Sequence, residues 1–394
     1  MLTLDKTRPV WAEINLDNLV HNMKEVRRSV KKDTLVTAVI KADGYGHGAV
    51  EIAETLLQNG ADRLAVATLS EALELRKIYK TVPILVLGYT PETSAEDVIL
   101  HDIIQTVYDL EQVEAFSKKA DALNREIKIH IKIDTGMSRL GLQPDIATVE
   151  IIKKIAHMPK IILEGIFTHF AVADEVDKTF TNGQYEKFVN LCGRLEEQGI
   201  SIPIKHVSNS AAIIDLPDMN LDMVRAGIML YGLYPSDEVD KEEIKLKQVM
   251  TLKAKISHVK ELEAGRGISY GLKYVTRGNE KIATLPIGYA DGFTRMLSGK
   301  AEVIVKGHRV PVVGRICMDQ CMIDVSGIAD VKRGDEVILF GGHGNDFIAI
   351  DEIASKLGTI NYEIVCMMGK RIPRVYVKNN EIVKIKDYVR GEIF

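Results

Sequence analysis

The chain has 394 residues, of which 46% are hydrophobic and 27% charged, which is ordinary for a globular protein and enough for two domains. Its formal net charge of −4 gives no reason to expect nucleic acid or an anionic membrane as a partner. No apolar run approaches the roughly 18 residues of a membrane span, and the first sixteen residues lack the layout of a secretion signal. The four cysteines include no second metal-spaced pair beside CMDQC, so we expect free thiols, no metal site and a cytoplasmic protein.

Strands and helices alternate through the first 240 residues. WAEINL at 11–16 predicts a short strand, and the apolar residues of 16–32 recur with a helical period. Eight further strands are predicted at 35–40, 63–67, 83–87, 103–107, 128–133, 162–168, 204–207 and 222–225, with helical stretches such as 49–59, 69–79, 110–123, 146–157 and 183–198 between them. This alternation predicts an α/β fold with an N-terminal (β/α)8 TIM-type barrel. An open doubly wound sheet is the alternative, although no G-x-G-x-x-G opens a helix after the first strand.

The pattern changes after residue 240. Short β-rich runs follow at 248–258, 281–286, 301–305, 309–313, 322–326 and 336–340, separated by glycine turns and by one helix at 350–357. We therefore predict a barrel domain over 1–240 and a C-terminal mainly-β domain over 241–394. Residues 1–12 precede the first barrel helix, and the sequence leaves open whether they join the second domain.

A lysine ends the first barrel strand. Residues 35–40 form a buried apolar run that stops at Lys41, and a loop with Gly44, Gly46 and Gly48 follows. Barrel enzymes keep their chemistry at the carboxyl ends of the strands. A desolvated lysine amine is a good base and Schiff-base former, so Lys41 is a candidate catalytic residue. The alternative is a surface lysine that happens to follow a strand.

Other barrel strands also end in polar residues. These are Tyr45 after the first strand, Lys132, Asp134 and Arg139 at the fifth, Thr168 and His169 at the sixth, Ser208, Asn209 and Ser210 at the seventh, and Arg225 and Gly227 at the eighth. Barrel geometry brings such positions onto one face, which predicts a cationic pocket for an anionic ligand. Tyr45, Ser210 and the backbone N–H groups of Gly227 and Ile228 form a candidate phosphate cradle. A Schiff-base lysine with a phosphate cradle is what pyridoxal phosphate requires; a Schiff-base aldolase needs the same two features but would not explain a second domain.

These motifs are recognisable. AVIKADGYGHG at 38–48 resembles the pyridoxal-phosphate lysine motif of the alanine racemases. The resemblance continues in family order through KIDTGMSRLG (132–141), THFAVAD (168–174), HVSNSAA (206–212), VRAGIMLYG (224–232), GISYG (267–271), PIGYADG (286–292), VVGRICMDQ (312–320) and TINYEI (359–364). Ser208 departs from the small apolar residue expected there, and Ser138 lies in a position where the family varies. Neither departure falls on a residue that the family uses in its chemistry.

The resemblance implies definite roles. Lys41 would carry the cofactor as an aldimine, and Arg225 would face the pyridine nitrogen. The phosphate would be held by Tyr45, Ser210, Gly227, Ile228 and Tyr362, and Asn209 would also bind the cofactor. Arg139 and the backbone N–H of Met318 would bind the substrate carboxylate, and Tyr289 and Asp319 would line the entry. Family members often carry a carbamylated lysine at the position of Lys132, and an ordinary ion pair is the alternative for this residue. The resemblance also implies a homodimer with shared active sites, and D-alanine supply for peptidoglycan.

Racemisation needs a proton removed from one face of Cα and one returned to the other. The resemblance assigns Lys41 to the proton of D-alanine and Tyr270 to that of L-alanine. A free tyrosine stays protonated at neutral pH and is therefore an inefficient base. His169, backed by Arg225, is the candidate residue to support its deprotonation. Three alternatives stay open. They are an amino-acid decarboxylase of similar architecture, a racemase for serine or another side chain, and a non-catalytic pyridoxal-phosphate carrier, which resembles the barrel alone.

Overall fold

The computed structural model describes residue 4 and residues 7–393, and the chain divides into two compact units. The barrel unit comprises Leu19–Gly44 and Ala49–Lys247; the β unit comprises the described residues up to Asn18 together with Tyr45–Gly48 and the chain from Gln248. Within the N-terminal stretch 1–12, residues 1–3 and 5–6 lie outside the described residues. The first strand, β1 (Val10–Asn15), belongs to the β unit.

Eight parallel strands form the sheet of the barrel unit. They are β2 (Leu35–Val39), β3 (Arg63–Val66), β4 (Ile84–Val86), β5 (Ile104–Val107), β6 (Ile127–Lys132), β7 (Ile161–Phe167), β8 (Ile204–His206) and β9 (Met223–Ala226). The sheet runs in the order β8-β7-β6-β5-β4-β3-β2-β9. Hydrogen bonds from Asp222 N to Lys205 O and from Arg225 N to Ser208 O, both 3.1 Å, bring the two end strands together. The sheet is thus a nearly closed barrel, as predicted, and not an open doubly wound sheet.

Helices lie between the barrel strands. Their bounds are Leu16–Arg28, Ala49–Gln58, Leu69–Arg76, Ala95–Leu100, Leu110–Ala122, Ile146–Ala156, Thr179–Glu197 and Ser210–Asp215. Side-chain caps fix several starts: Thr68 and Glu71 form a capping box, and Asp109 and Asp145 each accept a backbone N–H of the first turn. None of the helices in the described residues is long and apolar enough to cross a membrane.

The β unit is built mainly on one large sheet. Its further strands are β10 (Met250–Lys255), β11 (His258–Leu262), β12 (Gly267–Ile268), β13 (Tyr274–Val275), β14 (Glu280–Leu285), β15 (Glu302–Val305), β16 (His308–Val313), β17 (Cys321–Asp324), β18 (Glu336–His343), β19 (Asp346–Ile348), β20 (Arg374–Lys378), β21 (Glu381–Asp387) and β22 (Glu392–Ile393). Two helices, Ile350–Leu357 and Asn361–Cys366, interrupt them. β1 pairs antiparallel with β10 and parallel with β20. The mainly-β class predicted for this part of the chain is confirmed.

The interior of the barrel unit is unusually polar. Barrel cores are ordinarily filled by layers of branched apolar side chains. Here Thr37, Gln105, His130, His206 and Arg225 are each 4% exposed or less. Buried polar groups need hydrogen-bond partners, so this core contains a hydrogen-bonded system as well as apolar packing.

Candidate active site

Lys41 begins a strained turn at the carboxyl end of β2. The next four residues, Ala42, Asp43, Gly44 and Tyr45, have φ values of 52°, 53°, 62° and 51°, so three non-glycine residues adopt the left-handed conformation. Each costs about 1–2 kcal/mol. The turn is held by hydrogen bonds from Gly44 N to Ile40 O (2.9 Å), from Ala42 N to the Glu71 carboxylate (2.7 Å) and from Ala49 N to the Asp43 carboxylate (2.9 Å). Strain of this kind concentrates at functional sites. The hydrogen-bonded turn fixes the backbone from which the Lys41 side chain extends.

Lys132 ends β6 as a buried amine. Its side chain is 6% exposed, with Nζ 4.7 Å from the centroid of the Phe167 ring. Among the described residues it forms no ion pair. Burial lowers the pKa of Lys132 well below its ordinary value; the charges of Arg225 and Arg139 act in the same direction, and Asp134 opposes them. The amine is therefore biased toward its neutral, nucleophilic form.

A tight loop after β6 presents Arg139. The Asp134 carboxylate accepts hydrogen bonds from Gly136 N and Ser138 N, both 3.0 Å. Gly141 has φ of 133°, and a Cβ there would lie 2.5 Å from Asp134 N, so only glycine fits. Arg139 is exposed, yet its charge lowers the pKa values of Lys132, His169 and Arg225. Its guanidinium thus lies at the mouth of the barrel, close to these groups.

Arg225 of β9 is a fixed, buried cation. Nη2 donates to Thr168 O and Val207 O, both 2.9 Å, and Nη1 donates to His206 Nδ1 at 2.9 Å. A further contact joins Nη2 to His169 Nδ1 at 3.2 Å. Burial lowers the pKa of Arg225 to about 9, with a smaller contribution from Arg139, and the group stays charged at neutral pH. Its Nε donates to none of the described residues, which leaves one oriented donor for a ligand.

His169 lies in surroundings that disfavour the protonated imidazole. Burial lowers its pKa well below the ordinary value, and the charges of Arg225, Lys132, Arg139 and Lys41 act in the same direction. Because a guanidinium has only donors, Nδ1 of His169 is the acceptor toward Arg225. A neutral ring then carries its proton on Nε2. His169 therefore keeps one N–H donor for a second partner.

The predicted phosphate residues of the barrel unit meet at the start of the helix Ser210–Asp215. Asn209 is the N-cap, and its side chain accepts from Ala212 N at 3.1 Å. Ser210 Oγ accepts from Gly227 N at 3.0 Å, and Ile228 opens the next turn of 3₁₀ helix. Backbone N–H groups at such a point favour an anion.

Tyr45 and Tyr362 pair within the β unit. Their ring centroids lie 6.2 Å apart at an interplanar angle of 50°. Tyr45 is 6% exposed, and burial raises its pKa above the ordinary value. Gly46, next to Tyr45, packs so closely that a Cβ there would lie 2.3 Å from Val365 O, in the helix that carries Tyr362. The Tyr45 phenol is thus a neutral hydrogen-bond donor in a fixed position.

Tyr270 lies on an outward-facing turn of the β unit. Ser269 before it has φ of 63°, and its hydroxyl donates to Arg315 O at 2.5 Å. Gly271 after it has φ of 72°. The Tyr270 side chain is 70% exposed. The strained Ser269 and the left-handed Gly271 therefore hold the ring out from the surface of its own unit.

A second pair of loops carries Met318, Tyr289 and Asp319. Tyr289 N donates to Cys317 O at 3.1 Å, and Ala290 N donates to Met318 O at 3.0 Å. Gly288 is needed for this approach, because a Cβ there would lie 2.2 Å from Cys317 O. Arg371 donates to the Asp319 carboxylate at 2.8 Å. Met318 and Tyr289 are both exposed, so this face of the β unit displays three of the predicted residues together.

Sequence reasoning missed several polar residues of the barrel unit. His206 ends β8 and stacks on Phe167 at 4.6 Å, with an interplanar angle of 8°. His130 of β6 is fully buried, and Glu164 of β7 is partly buried beside it, 2.9 Å from His130 Nε2. The signals were available, because His206 is another strand-end residue and His130 interrupts the apolar alternation of IKIHIK. Ser208, the departure from the expected pattern, is buried, and its hydroxyl donates to Met219 O at 3.2 Å.

The fold and this arrangement define a class of barrel enzyme with a cationic, amine-bearing site at the carboxyl ends of its strands and a mainly-β unit in the same chain. The family model described as alanine racemase, N-terminal domain, matches residues 14–235, and the model for the C-terminal domain matches 249–376. The chain belongs to the alanine racemase family. The second match covers the region that a barrel-only carrier lacks.

Individual relatives match over nearly the whole chain. Alanine racemases of Clostridium perfringens and Methanococcus maripaludis are 53% and 54% identical over 97% and 94% of this chain, and each match covers 99% of the relative. The solved alanine racemase of Clostridium difficile 630 has a TM-score of 0.94 at 51% identity, covering 97% of this chain and 99% of that one. That of Bacillus anthracis with bound L-Ala-P has a TM-score of 0.92 at 38% identity, covering 98% and 99%.

Proposed function

We propose that this protein interconverts L-alanine and D-alanine with pyridoxal phosphate as cofactor. It acts in the cytoplasm and supplies D-alanine for peptidoglycan. The observation that carries the proposal is the geometry of Arg225. Its terminal nitrogens are held by hydrogen bonds while Nε stays open, in a barrel unit where Lys41 lies just past the end of β2. The test is to incubate the holoenzyme separately with L-alanine, L-serine and L-lysine and to follow loss of optical activity. Alanine should racemise fastest. A preference for serine or lysine would show that alanine is not the main substrate. Absence of racemisation with all three amino acids would reject the proposal.

The residues present fit pyridoxal phosphate. The cofactor needs an amine, a phosphate site and a partner for its ring nitrogen. Lys41 would supply the amine and Arg225 Nε the ring partner. Tyr45, Asn209, Ser210, Gly227, Ile228 and Tyr362 would hold the phosphate. When bound, pyridoxal phosphate acidifies the substrate Cα–H by drawing electrons into its ring.

Arg225 would limit side reactions. A guanidinium donates a hydrogen bond but gives up its proton with difficulty. Arg225 would therefore hold the ring nitrogen of the cofactor without protonating it and would keep electron withdrawal by the ring modest. In this way Arg225 would favour racemisation over transamination.

Two bases would act on opposite faces of Cα. The neutral Lys41 amine takes the proton of D-alanine, and the Tyr270 phenolate takes that of L-alanine. His169 would donate its Nε2–H to the Tyr270 oxygen and so stabilise the phenolate form. The support for this role is the Arg225 contact to His169 Nδ1, which leaves Nε2–H available.

The substrate carboxylate would bind Arg139 and the backbone N–H of Met318, with Tyr289 and Asp319 along the entry. We propose further that Lys132 carries a carbamate. Its neutral-leaning amine and the nearby charges of Arg139 and Arg225 support this, because a neutral amine attacks carbon dioxide and cations stabilise the resulting anion. The carbamate would then orient Arg139.

We propose that the enzyme is a homodimer in which Lys41 of one subunit works with Tyr270 and Met318 of the other. The barrel unit would bind the cofactor, and the β unit would supply the second base to the partner's site. Tyr270, Leu272 and Met318 are 70%, 62% and 51% exposed, an unusual display of large apolar side chains on neighbouring loops. A twofold pairing would cover them and form two identical sites.

A further inference from the structure

A line of hydrogen-bonded ionisable side chains runs through the barrel unit to Arg225. Arg63 opens β3, and its Nη1 lies 2.6 Å from Glu164 Oε2 on β7. The same Glu164 oxygen lies 2.9 Å from His130 Nε2. His130 Nδ1 lies 2.9 Å from His206 Nε2, and His206 Nδ1 lies 2.9 Å from Arg225 Nη1. We name this set, Arg63, Glu164, His130, His206 and Arg225, the barrel column.

The local fold makes room for the column. A register shift between β6 and β7 places His130 opposite Gly165, where a Cβ would lie 2.4 Å from His130 Nδ1. Any larger residue at 165 would push the imidazole out of line. On the other side, the Phe167 ring stacks on His206 and fixes its plane. Both imidazoles are fully buried, whereas Arg63 and Glu164 keep 14% and 15% of their side-chain surface.

The hydrogen bonds of the column have one possible direction. Arg225 at one end has only donors, so His206 Nδ1 accepts. At the other end, hydrogen bonds from His130 and Arg63 outweigh burial and lower the pKa of Glu164 to about 2, so this carboxylate only accepts. His130 Nε2 therefore donates. Each imidazole then carries one proton, on Nε2, and His206 Nε2–H donates to His130 Nδ1.

No other protonation state satisfies every bond. A proton on His206 Nδ1 would face the Arg225 N–H, and two donors repel. A second proton on His130 would leave its Nδ1–H facing the His206 Nε2–H. Burial lowers the pKa values of both histidines below their ordinary range, which agrees with two neutral rings.

We propose that Glu164 is a positioning residue for Arg225: through His130 it fixes the His206 tautomer, so that a lone pair faces the guanidinium and Nε of Arg225 stays aimed at the ligand. The inference rests on the proposed function, in which that ligand is the cofactor ring. Two residues of the column, His130 and His206, lie between Glu164 and Arg225. Glu164 itself touches neither substrate nor cofactor. Without its carboxylate, His130 loses its acceptor, and only the repulsion between the Arg225 N–H and a proton on Nδ1 still opposes the other tautomer of His206.

The first test reads the tautomers directly. The holoenzyme, with its histidines labelled with ¹⁵N, is studied by NMR, and His130 and His206 are assigned by difference against His130→Asn and His206→Asn. Both rings should give the nitrogen shifts of a neutral Nε2–H tautomer. A protonated ring, or a proton on Nδ1 of His206, would overturn the proposal. This measurement needs no active enzyme and no substitution of Glu164.

The second test uses three variants. Glu164→Leu removes the acceptor and should shift the His206 signals toward the Nδ1–H form. Its kcat for racemisation should fall about tenfold, the effect of one lost hydrogen bond to a charged group, with the share of transamination raised. Glu164→Gln keeps a carbonyl acceptor for His130 and should keep the wild-type tautomer and most of the kcat. Asp215→Asn removes a similarly buried carboxylate, paired with Lys178 at 2.7 Å. This variant should alter neither the histidine signals nor the kcat and the share of transamination.

The outcomes are separable. The proposal would be overturned if a folded Glu164→Leu kept both its histidine signals and its ratio of racemisation to transamination. It would also be overturned if Asp215→Asn changed these two quantities as much as Glu164→Leu does. If Glu164→Leu does not fold, loss of the wild-type tautomer in Glu164→Gln would overturn it, and its retention with normal partition would support it. If the wild type does not racemise alanine, the proposed function fails, while the tautomers still decide whether Glu164 orients Arg225.

Discussion

Replacing Tyr270 with phenylalanine removes one oxygen atom from a ring that is 70% exposed in its own chain. The strained turn around it depends on Ser269 and Gly271, which the substitution leaves in place. Among the described residues, the Tyr270 phenol takes part in no hydrogen bond of the turn. The free energy of unfolding should therefore change by no more than about 0.5 kcal/mol, as for other surface substitutions.

Catalysis should respond very differently. If the phenol is the base for L-alanine, its loss removes a general-base contribution of roughly 10²–10⁴-fold. That corresponds to about 2.7–5.5 kcal/mol of transition-state stabilisation. Exchange of the D-alanine Cα hydrogen with solvent should survive much better, because the Lys41 amine is untouched. The expected signature is a stable protein with strongly unequal exchange from the two enantiomers.

The assay follows incorporation of deuterium at Cα from each enantiomer separately, by NMR or mass spectrometry, beside a thermal melt. Tyr274→Phe is the matched control: it lies on the same hairpin, and its hydroxyl donates to Glu280 at 2.8 Å. This control should keep both exchange rates. Equal loss of exchange from both enantiomers in Tyr270→Phe would refute the two-base assignment, and so would a loss in Tyr274→Phe of similar size.

Three other predictions concern the same site. Borohydride should fix the cofactor on Lys41, and peptide mapping that finds the label elsewhere would contradict this. Arg225→Glu should raise transamination relative to racemisation, because a carboxylate there favours a protonated ring nitrogen; an unchanged ratio of pyruvate to racemised alanine would remove the role of Arg225. Mixing, dissociating and reassociating Lys41→Ala and Tyr270→Phe proteins should restore roughly a quarter of wild-type activity, because about half the dimers are mixed and each has one intact site. No recovery, with mixed dimers shown to form, would reject a shared site.

The barrel could be predicted because its strands are short apolar runs in regular alternation with amphipathic helices. All eight predicted strands overlap β2–β9, with ends differing by one residue at most at each terminus. The regular helices were also predicted, including the helix at 350–357. The helices Ala95–Leu100, Ser210–Asp215 and Asn361–Cys366 were not, since six residues are too few to show a helical period.

Other parts depend on contacts that one sequence does not reveal. β20 and β21 were missed. β21 carries alternating lysines, and β20 is placed by its parallel pairing with β1, more than 350 residues away. The left-handed turn after Lys41 contains Ala42 and Tyr45, residues that give no signal for positive φ. The Ala42 N–H of this turn donates to Glu71, which lies in the first turn of another helix. Tertiary contacts therefore decide these features.

The barrel column shows why strand-end reasoning finds only part of such a site. Lys41, Lys132, His169 and Arg225 were identified because each lies at or just past the carboxyl end of a strand, where barrel chemistry is expected. Glu164 lies in the middle of β7 and Arg63 at the start of β3, and the strand order separates these strands by three others. Their pairing is thus a contact across the interior, and no spacing along the chain encodes it. The position of Arg225 depends on both kinds of contact, since carbonyls at the strand ends hold Nη2 while the column holds Nη1. A guanidinium held from two directions has little freedom left, and that restriction aims its remaining donor.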